Sequence, residues 1–129
     1  MTEKMSEEYL IGIDVGSTTT KIAVVDAKTG KMLYSDYQRH HADQLRSVYR
    51  ALAQLDLEYF KKKLRIILTG SGAKRISEAL DIPFIQEVVA NSLALRDRYQ
   101  CVRTAIELGG QDAKMIFFRQ DEKTGALTV

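Results

Sequence analysis

The stretch Tyr9–Asp26, YLIGIDVGSTTTKIAVVD, decides the fold of this chain. An apolar run from Tyr9 to Ile13 is followed by Asp14, and a second apolar run extends from Ile22 to Val25. The polar bend Gly16–Thr19 lies between the two runs. Apolar runs joined by a short Gly/Ser/Thr bend predict two antiparallel strands in a β-hairpin.

The bend also carries the groups that a bound phosphate needs. Gly16 has no Cβ, so an anion can come close to the backbone. Successive N–H groups can form an anion-binding concavity, to which Ser17, Thr18 and Thr19 add hydroxyl donors. Asp14, at the end of a buried strand, is an acceptor of the kind that holds Mg²⁺ directly or through water. The same stretch is also compatible with an ordinary polar turn in which Asp14 caps its own backbone.

Composition is typical of one modest globular domain in the cytoplasm. The chain has 129 residues, 45% hydrophobic and 28% charged, and a formal net charge of +2. Interspersed charges of both signs give no case for nucleic acid or a membrane surface as a partner. The single cysteine, Cys101, excludes an internal disulfide and suggests a buried structural thiol. Residues 1–8 are expected to be a flexible leader, unlike a signal peptide.

The middle of the chain alternates between strand and helix patterns. Lys31–Gln38 predicts a third antiparallel strand toward a sheet edge. His40 and His41 are more typical of a surface pair than of a metal site. Asp43 is a candidate N-cap of a helix. The inward stripe predicted for that helix consists of Leu45, Val48, Tyr49, Leu52 and Leu55.

A parallel strand and two further helices are predicted next. Arg65–Thr69 is apolar enough to be a strand covered on both faces, and Gly70-Ser71-Gly72 turns it into a helix. That helix, Ala73–Leu80, is expected to face inward through Ile76 and Leu80. Pro83 begins a short strand, and Glu87–Tyr99 is a helix with an inward stripe at Val88, Ser92, Leu95 and Tyr99. We therefore predict an α/β fold, with a three-stranded antiparallel meander in a mixed sheet and helices on both faces.

Arg103–Phe118, RTAIELGGQDAKMIFF, repeats the design of the first hairpin. An apolar strand containing Glu107 leads into the bend Gly109–Gly110, and Met115–Phe118 forms the returning strand. Gln111, Asp112 and Lys114 place an amide, a carboxylate and an ammonium just past the glycines. Two such bends that face each other across a cleft could hold the phosphates of one nucleotide from opposite sides.

These motifs resemble those of a known superfamily. IGIDVGSTTTK resembles the first phosphate motif, and ELGGQDAK the second, of the acetate and sugar kinase/heat-shock cognate/actin superfamily. GGQDAK, together with the turn LTGSGAK, resembles the ATPase activators of benzoyl-CoA reductase and 2-hydroxyacyl-CoA dehydratase, the BadF/BadG/BcrA/BcrD family. The match runs from Tyr9 to Phe118 in the family's order. It implies a ribonuclease H-like first lobe of an actin-like ATPase.

The resemblance assigns roles to residues of both bends. Asp14 would lie by the Mg²⁺ of bound ATP or ADP, and Gly16, Ser17, Thr18, Thr19 and Lys21 would bind the phosphates. Gly109 and Gly110 would approach the phosphates from the second lobe. Gln111 and Asp112 would orient attacking or Mg²⁺-bound water, as positioning catalysis of phosphoryl transfer requires.

Cofactors and partners are also implied by the resemblance. Family members are homodimers that share one four-iron–four-sulfur cluster, and ATP hydrolysis drives a low-potential electron from a donor into the dehydratase or reductase. Two positions depart from the family pattern: Glu107 stands for the usual Asp, and Asn91 for the common His. The resemblance further implies an N-terminal fragment without cluster ligands, in which 9–100 form the first lobe and 101–129 the opening hairpin of the second.

The fragment interpretation has two consequences. Ile116, Phe117 and Phe118 would be exposed, so residues 113–129 are expected to pack against another copy, to add a strand to a neighbouring sheet, or to be poorly ordered. Half of the nucleotide cleft would be missing, so ATP would bind weakly or not at all.

Two other functions share these hairpins. A sugar- or acetate-kinase-like phosphotransferase would also need an acidic base and a substrate pocket. An actin-like filament or scaffold protein would use hydrolysis as a timer. A dinucleotide-binding domain is disfavoured, because GIDVG lacks the G-x-G-x-x-G spacing and leads into a strand.

Overall fold

A computed structural model describes residues 7–99, 101–121, 123–124 and 127–128 of the chain. The chain divides into two compact units, Met1–Phe84 and Ile85–Val129. The predicted leader lies outside the described residues, except for Glu7 and for Glu8, which begins the first strand. The predicted lobe boundary between residues 100 and 101 stays a prediction.

The first unit contains a four-stranded mixed sheet with the strand order β3-β2-β1-β4. Its strands are β1 (Glu8–Val15), β2 (Thr19–Asp26), β3 (Met32–Arg39) and β4 (Lys63–Thr69). β1 to β3 form the predicted antiparallel meander, and β4 lies parallel to β1. β3 is at an edge, as its half-polar pattern predicted. The short strand predicted after Pro83 is a single parallel bridge between Leu68 and Phe84.

Helices α1 (Gln44–Ala53), α2 (Leu57–Phe60) and α3 (Lys74–Leu80) complete the first unit. α1 begins as predicted, with the Asp43 side chain accepting from the Arg46 N–H. Its predicted stripe was partly wrong, since Leu45 and Tyr49 are exposed and Ser47 and Ala51 are buried instead. Ser47 is buried because it has a tertiary partner, since its hydroxyl lies 2.5 Å from the hydroxyl of Thr20 on β2.

The core of the first unit lies on one face of the sheet. It is formed by alternate residues of β1 and β2 with residues in or next to α1, β4 and α3: Tyr9, Ile11, Ile13, Val15, Ile22, Val24, Val48, Ala51, Leu55, Leu68, Ala73 and Ile76. On the opposite face, Leu10, Val25 and Ile67 line an open groove of about 740 Å³. β4 is not covered on both faces, and Leu80 of α3 is exposed rather than inward.

The second unit contains α4 (Glu87–Arg98) and the hairpin of β5 (Thr104–Leu108) and β6 (Ala113–Phe117). Short strands β7 (Arg119–Gln120) and β8 (Leu127–Thr128) pair with each other. Ile116 and Phe118 are buried against a set of partly buried residues: Val88, Leu95, Val102 and Ala105. The prediction that both would be exposed was wrong, because one face of the hairpin packs within its own unit.

The other face of this hairpin remains apolar and exposed. Ile106, Leu108, Met115 and Phe117 are all more than half exposed. Residues 122, 125–126 and 129 of the segment predicted to self-associate lie outside the described residues, so self-association through 113–129 stays a prediction.

Two single-residue expectations of burial failed. Cys101 is exposed rather than buried. Tyr99, at the end of the α4 stripe, is also exposed. In the part of the chain that the structure describes, no helix combines the length and apolar character needed to cross a bilayer.

Candidate functional site

The first phosphate bend is closed by a backbone hydrogen bond from the Gly16 N–H to the Thr19 carbonyl, 2.9 Å long. This bond uses the Gly16 N–H, so it cannot also meet a phosphate. No described group accepts from the N–H of Ser17 or Thr18, and Ser17 is exposed. The donors that this bend offers to an anion are therefore the amides at its tip.

Asp14 lies beside the bend with its two carboxylate oxygens in different environments. Oδ2 accepts a hydrogen bond from Lys21 Nζ at 2.8 Å. Oδ1 is buried and has no hydrogen-bond partner. An unsatisfied buried oxygen costs about 1–3 kcal/mol, so a cation or water that reached it would be stabilising. The donor set at Asp14 therefore fits a magnesium ion.

The turn after β4 is built against Asp14, which the sequence pattern did not reveal. Gly70 has φ +98°, and a Cβ added there would lie 2.4 Å from Asp14 Oδ1 and 2.4 Å from the Val15 carbonyl oxygen. The Gly72 N–H donates to that same carbonyl at 2.8 Å. Gly70 thus permits the backbone to pass directly behind the carboxylate. The possible signal in the sequence was the pair of glycines after an apolar strand.

His40 is a second contributor that the sequence did not identify. Its side chain is buried, with 3% exposed, and Nε2 lies 3.1 Å from the Gly16 carbonyl oxygen. The prediction of a surface pair was therefore wrong for His40, although His41 is exposed. The sequence pattern did not predict that His40 is buried, because His40 lies just after an edge strand that is largely exposed.

The second bend, Gly109–Asp112, is closed by the same kind of bond as the first. The Gly109 N–H donates to the Asp112 carbonyl at 2.8 Å, joining the first and fourth residues of the bend. A Cβ on Gly109 would lie 2.7 Å from Asp112 Oδ1. Gly110 and Gln111 are exposed at the tip. The repeat predicted from the sequence is thus present in the backbone hydrogen bonding.

Three carboxylates surround the ammonium of Lys114 within the second unit. Its Nζ lies 2.9 Å from Glu87 Oε2, 3.2 Å from Asp112 Oδ2 and 4.0 Å from Glu107 Oε1. The Asn91 amide donates to Glu107 Oε2 at 2.8 Å. Asn91 and Glu107, the two residues that differ from those the resemblance implies at their positions, therefore contact each other. The network connects the first turn of α4 to the carboxylate of the glycine bend.

Glu87, Glu107 and Lys114 of this network have shifted pKa values. Burial, together with the hydrogen bond and the charge of Glu87, raises the pKa of Glu107. Burial raises the pKa of Glu87 too, but hydrogen bonds with Lys114 and Glu107 outweigh it, so that pKa is lowered overall. The hydrogen bond to Glu87 is the main cause that raises the pKa of Lys114.

Replacing Glu107 by glutamine is expected to stabilise the second unit at neutral pH by a few tenths to about 1 kcal/mol. A carboxyl whose folded-state pKa is raised opposes folding when charged, and glutamine resembles its neutral form. The gain should vanish below the ordinary pKa of 4.5, where glutamate is protonated in both states. Urea unfolding of E107Q and the parent chain at pH 4 and pH 7 checks this, and a pH-independent difference would contradict it.

Among the described residues, no three His, Cys, Asp or Glu side chains converge as a metal site. Mg²⁺ commonly takes one or two carboxylates and completes its shell with phosphates and water, so magnesium binding by Asp14 and Asp112 stays a prediction. A four-iron–four-sulfur cluster does not fit the residues present, because the sequence has one cysteine and such clusters take four thiolates. That both bends face one triphosphate stays a prediction.

Comparisons with known proteins give fold-level matches only. No family model matches the chain, and no curated protein matches it. Solved structures do. The (R)-2-hydroxyglutaryl-CoA dehydratase component A of Acidaminococcus fermentans matches with TM-score 0.71 and 23% identity, over 94% of this chain and 45% of that chain.

Two further structures extend the comparison. The activator of the 2-hydroxyisocaproyl-CoA dehydratase of Clostridium difficile, solved with bound ADPNP, matches with TM-score 0.63 and 22% identity, over 92% of this chain and 43% of that chain. A Ppx/GppA family member of Aquifex aeolicus matches with TM-score 0.57 and 14% identity, over 95% of this chain and 49% of that chain.

This chain spans less than half the length of each of these three structures. The mixed sheet, the meander and the two hairpins follow the order that the motifs predicted. The chain therefore has the actin-like ATPase fold, and the similarity to dehydratase activators predicted from its motifs is confirmed at the level of that fold.

Proposed function

We propose that this chain is the N-terminal, phosphate-binding part of an ATP-hydrolysing activator that drives low-potential electrons into a 2-hydroxyacyl-CoA dehydratase or a related CoA-ester reductase. The observation that supports this most is the repeated bend. Gly16–Thr19 and Gly109–Asp112 are closed by matching hydrogen bonds, and each has a carboxylate and a lysine beside it. The dehydratase component and the dehydratase activator matched in fold, the second with bound ADPNP, suggest the nucleotide as ligand and a CoA-ester dehydratase as partner.

In this proposal the first bend binds the β- and γ-phosphates. The Ser17 and Thr18 N–H groups donate at its tip, and the exposed Lys21 ammonium adds positive charge. Gly16 and Thr19 hold the bend closed. Asp14 would hold the magnesium ion through Oδ1, directly or through water.

The second bend approaches the phosphates from the other lobe. Gly109 and Gly110 leave room for the anion, and Gln111 and Asp112 orient the attacking water. Asp112 would also hold the magnesium ion through water. Such an ion would supply positive charge that offsets the phosphate charge, and the residues of this chain would act by positioning rather than through a covalent intermediate.

The partners belong to the whole protein. We propose a homodimer that accepts electrons from a donor and passes them to the dehydratase or reductase, in the cytoplasm, with no nucleic-acid or membrane partner. The exposed face of β5 and β6 is the surface through which this chain would associate with itself. Cys101 alone cannot hold an iron–sulfur cluster.

Mg-ATP added to the ¹⁵N-labelled chain is expected to shift the amide signals of the two bend tips, even if binding is only millimolar. In D14N the shifts should need at least about tenfold more nucleotide, because a neutral amide attracts the cation less. D97N, which removes an exposed carboxylate of α4, is the matched control. Shifts confined to residues outside both bends, or equal titrations of D14N and D97N, would contradict the proposed site.

A further inference from the structure

Both ring nitrogens of His40 are engaged, and their partners decide which one carries the proton. Nδ1 lies 3.1 Å from the Ala42 backbone nitrogen, and Nε2 lies 3.1 Å from the Gly16 carbonyl oxygen. A backbone N–H only donates, so Nδ1 is the acceptor. The neutral ring therefore carries its proton on Nε2, which donates to the Gly16 carbonyl.

A second bond joins His40 to the same bend. Its backbone N–H donates to the Thr18 carbonyl at 3.2 Å. Two carbonyls of the phosphate bend are thus directed at one buried residue. In a planar trans peptide the N–H points opposite to the carbonyl. Holding the Gly16 carbonyl toward His40 therefore turns the Ser17 N–H away from His40, toward the open side of the bend.

The backbone after His40 is strained. His41 and Ala42 have φ values of +48° and +66°, a left-handed conformation that costs about 1–2 kcal/mol per non-glycine residue. Two bonds to His40 hold it in place, from the Ala42 N–H to Nδ1 and from the Asp43 N–H to the His40 carbonyl at 2.8 Å. Strain of this kind persists where the surroundings impose it, often at functional sites.

We propose that His40 is a positioning residue for phosphate binding. Its imidazole holds the Gly16–Thr19 bend so that the Ser17 N–H is directed at the nucleotide phosphates. This inference rests on the proposed function, because it needs a nucleotide at that bend. In this proposal His40 contacts neither the phosphates nor the attacking water. It acts through the backbone of the bend.

Three variants distinguish this positioning role from a contribution of His40 to folding stability alone. H40L removes both ring bonds, whereas the glutamine of H40Q can still place an N–H donor at the Gly16 carbonyl. H41L changes the exposed neighbouring histidine and is the matched control. Unfolding midpoints in urea are measured alongside, so that loss of fold is not taken for loss of binding.

The first readout is the Mg-ATP dissociation constant of the 129-residue chain. We expect H40L to bind about tenfold more weakly or worse, the equivalent of one lost hydrogen bond. H40Q should stay within about threefold of the parent chain, and H41L should be unchanged. If H40L, corrected for its folded fraction, binds as well as H41L, the positioning role is overturned.

The second readout needs no nucleotide. Backbone order parameters of Gly16, Ser17 and Thr18 are expected to fall in H40L from about 0.85 toward 0.6, and not in H40Q or H41L. If the parent chain binds no Mg-ATP but these order parameters depend on His40, the proposed function fails and the holding of the bend stands. Unchanged order parameters in H40L would overturn the inference whether or not nucleotide binds.

Discussion

Replacing Gly70 by alanine is expected to lower the free energy of unfolding of the first unit by about 3 to 5 kcal/mol. Two costs combine. The φ of +98° is one that L side chains rarely adopt, and the new Cβ would lie 2.4 Å from both Asp14 Oδ1 and the Val15 carbonyl oxygen. The second contact involves backbone at the end of a central strand, so it cannot be relieved by a side-chain rotation.

Two other glycines provide matched controls. A Cβ on Gly12 would meet nothing within 4 Å, so G12A should change stability by less than about 0.5 kcal/mol. A Cβ on Gly72 would lie 2.4 Å from Gln44 Nε2, the far end of a flexible side chain that can move. We expect the order of destabilisation G70A, then G72A, then G12A, measured as urea midpoints with unchanged slopes. A G70A midpoint equal to that of G12A would contradict the turn geometry.

Replacing Lys114 by methionine is expected to destabilise the second unit by about 2 kcal/mol at pH 7, less than the 3–5 kcal/mol for a fully buried pair. The Lys114 side chain is 31% exposed, and the paired Glu87 and Glu107 side chains are 20% and 24% exposed, so water weakens the interaction only partly. Without Lys114, these two carboxylates remain close together with no cation between them.

The pH dependence identifies the cause. Glu87, with its lowered pKa, contributes stability above 4.5 that is lost as pH falls through the folded-state value. Lys114, with its raised pKa, contributes stability below 10.5 that is lost as pH rises through the folded-state value. The difference between K114M and the parent chain should therefore be largest between these limits and shrink in acid.

K123M is the control, because Lys123 is exposed in the same unit. Its backbone N–H donates to the Asp121 carboxylate, a hydrogen bond that the substitution leaves in place. It should unfold like the parent chain at every pH. A K114M deficit that persists undiminished at pH 3.5 would show that lost packing of the lysine stem, rather than charge, is responsible.

Local patterns predicted those elements whose residues contact their sequence neighbours. The meander, the edge position of β3 and the Asp43 cap depend on alternation, turn residues and one side-chain-to-backbone bond. Burial was predicted less well. Leu45 and Leu80 look inward by helical spacing but are exposed, while Ser47 is buried because Thr20 supplies a partner. The helical spacing of apolar residues does not by itself predict which of them the sheet covers.

The sequence by itself determined the two glycine bends, the acids beside them and hence the fold class, because a strand pair joined by a short polar turn is encoded within about twenty residues. Only the tertiary structure decided which distant residues contact the first bend and Asp14. Gly70 and His40 are more than twenty residues away along the chain, and their roles depend on β4 lying parallel to β1 and on the turn after β3. Contacts between distant segments carry no local periodicity. The glycine pair after β4 could indicate a tight turn but not that Asp14 and Val15 lie against it, and the residues around His40 gave no indication of its role.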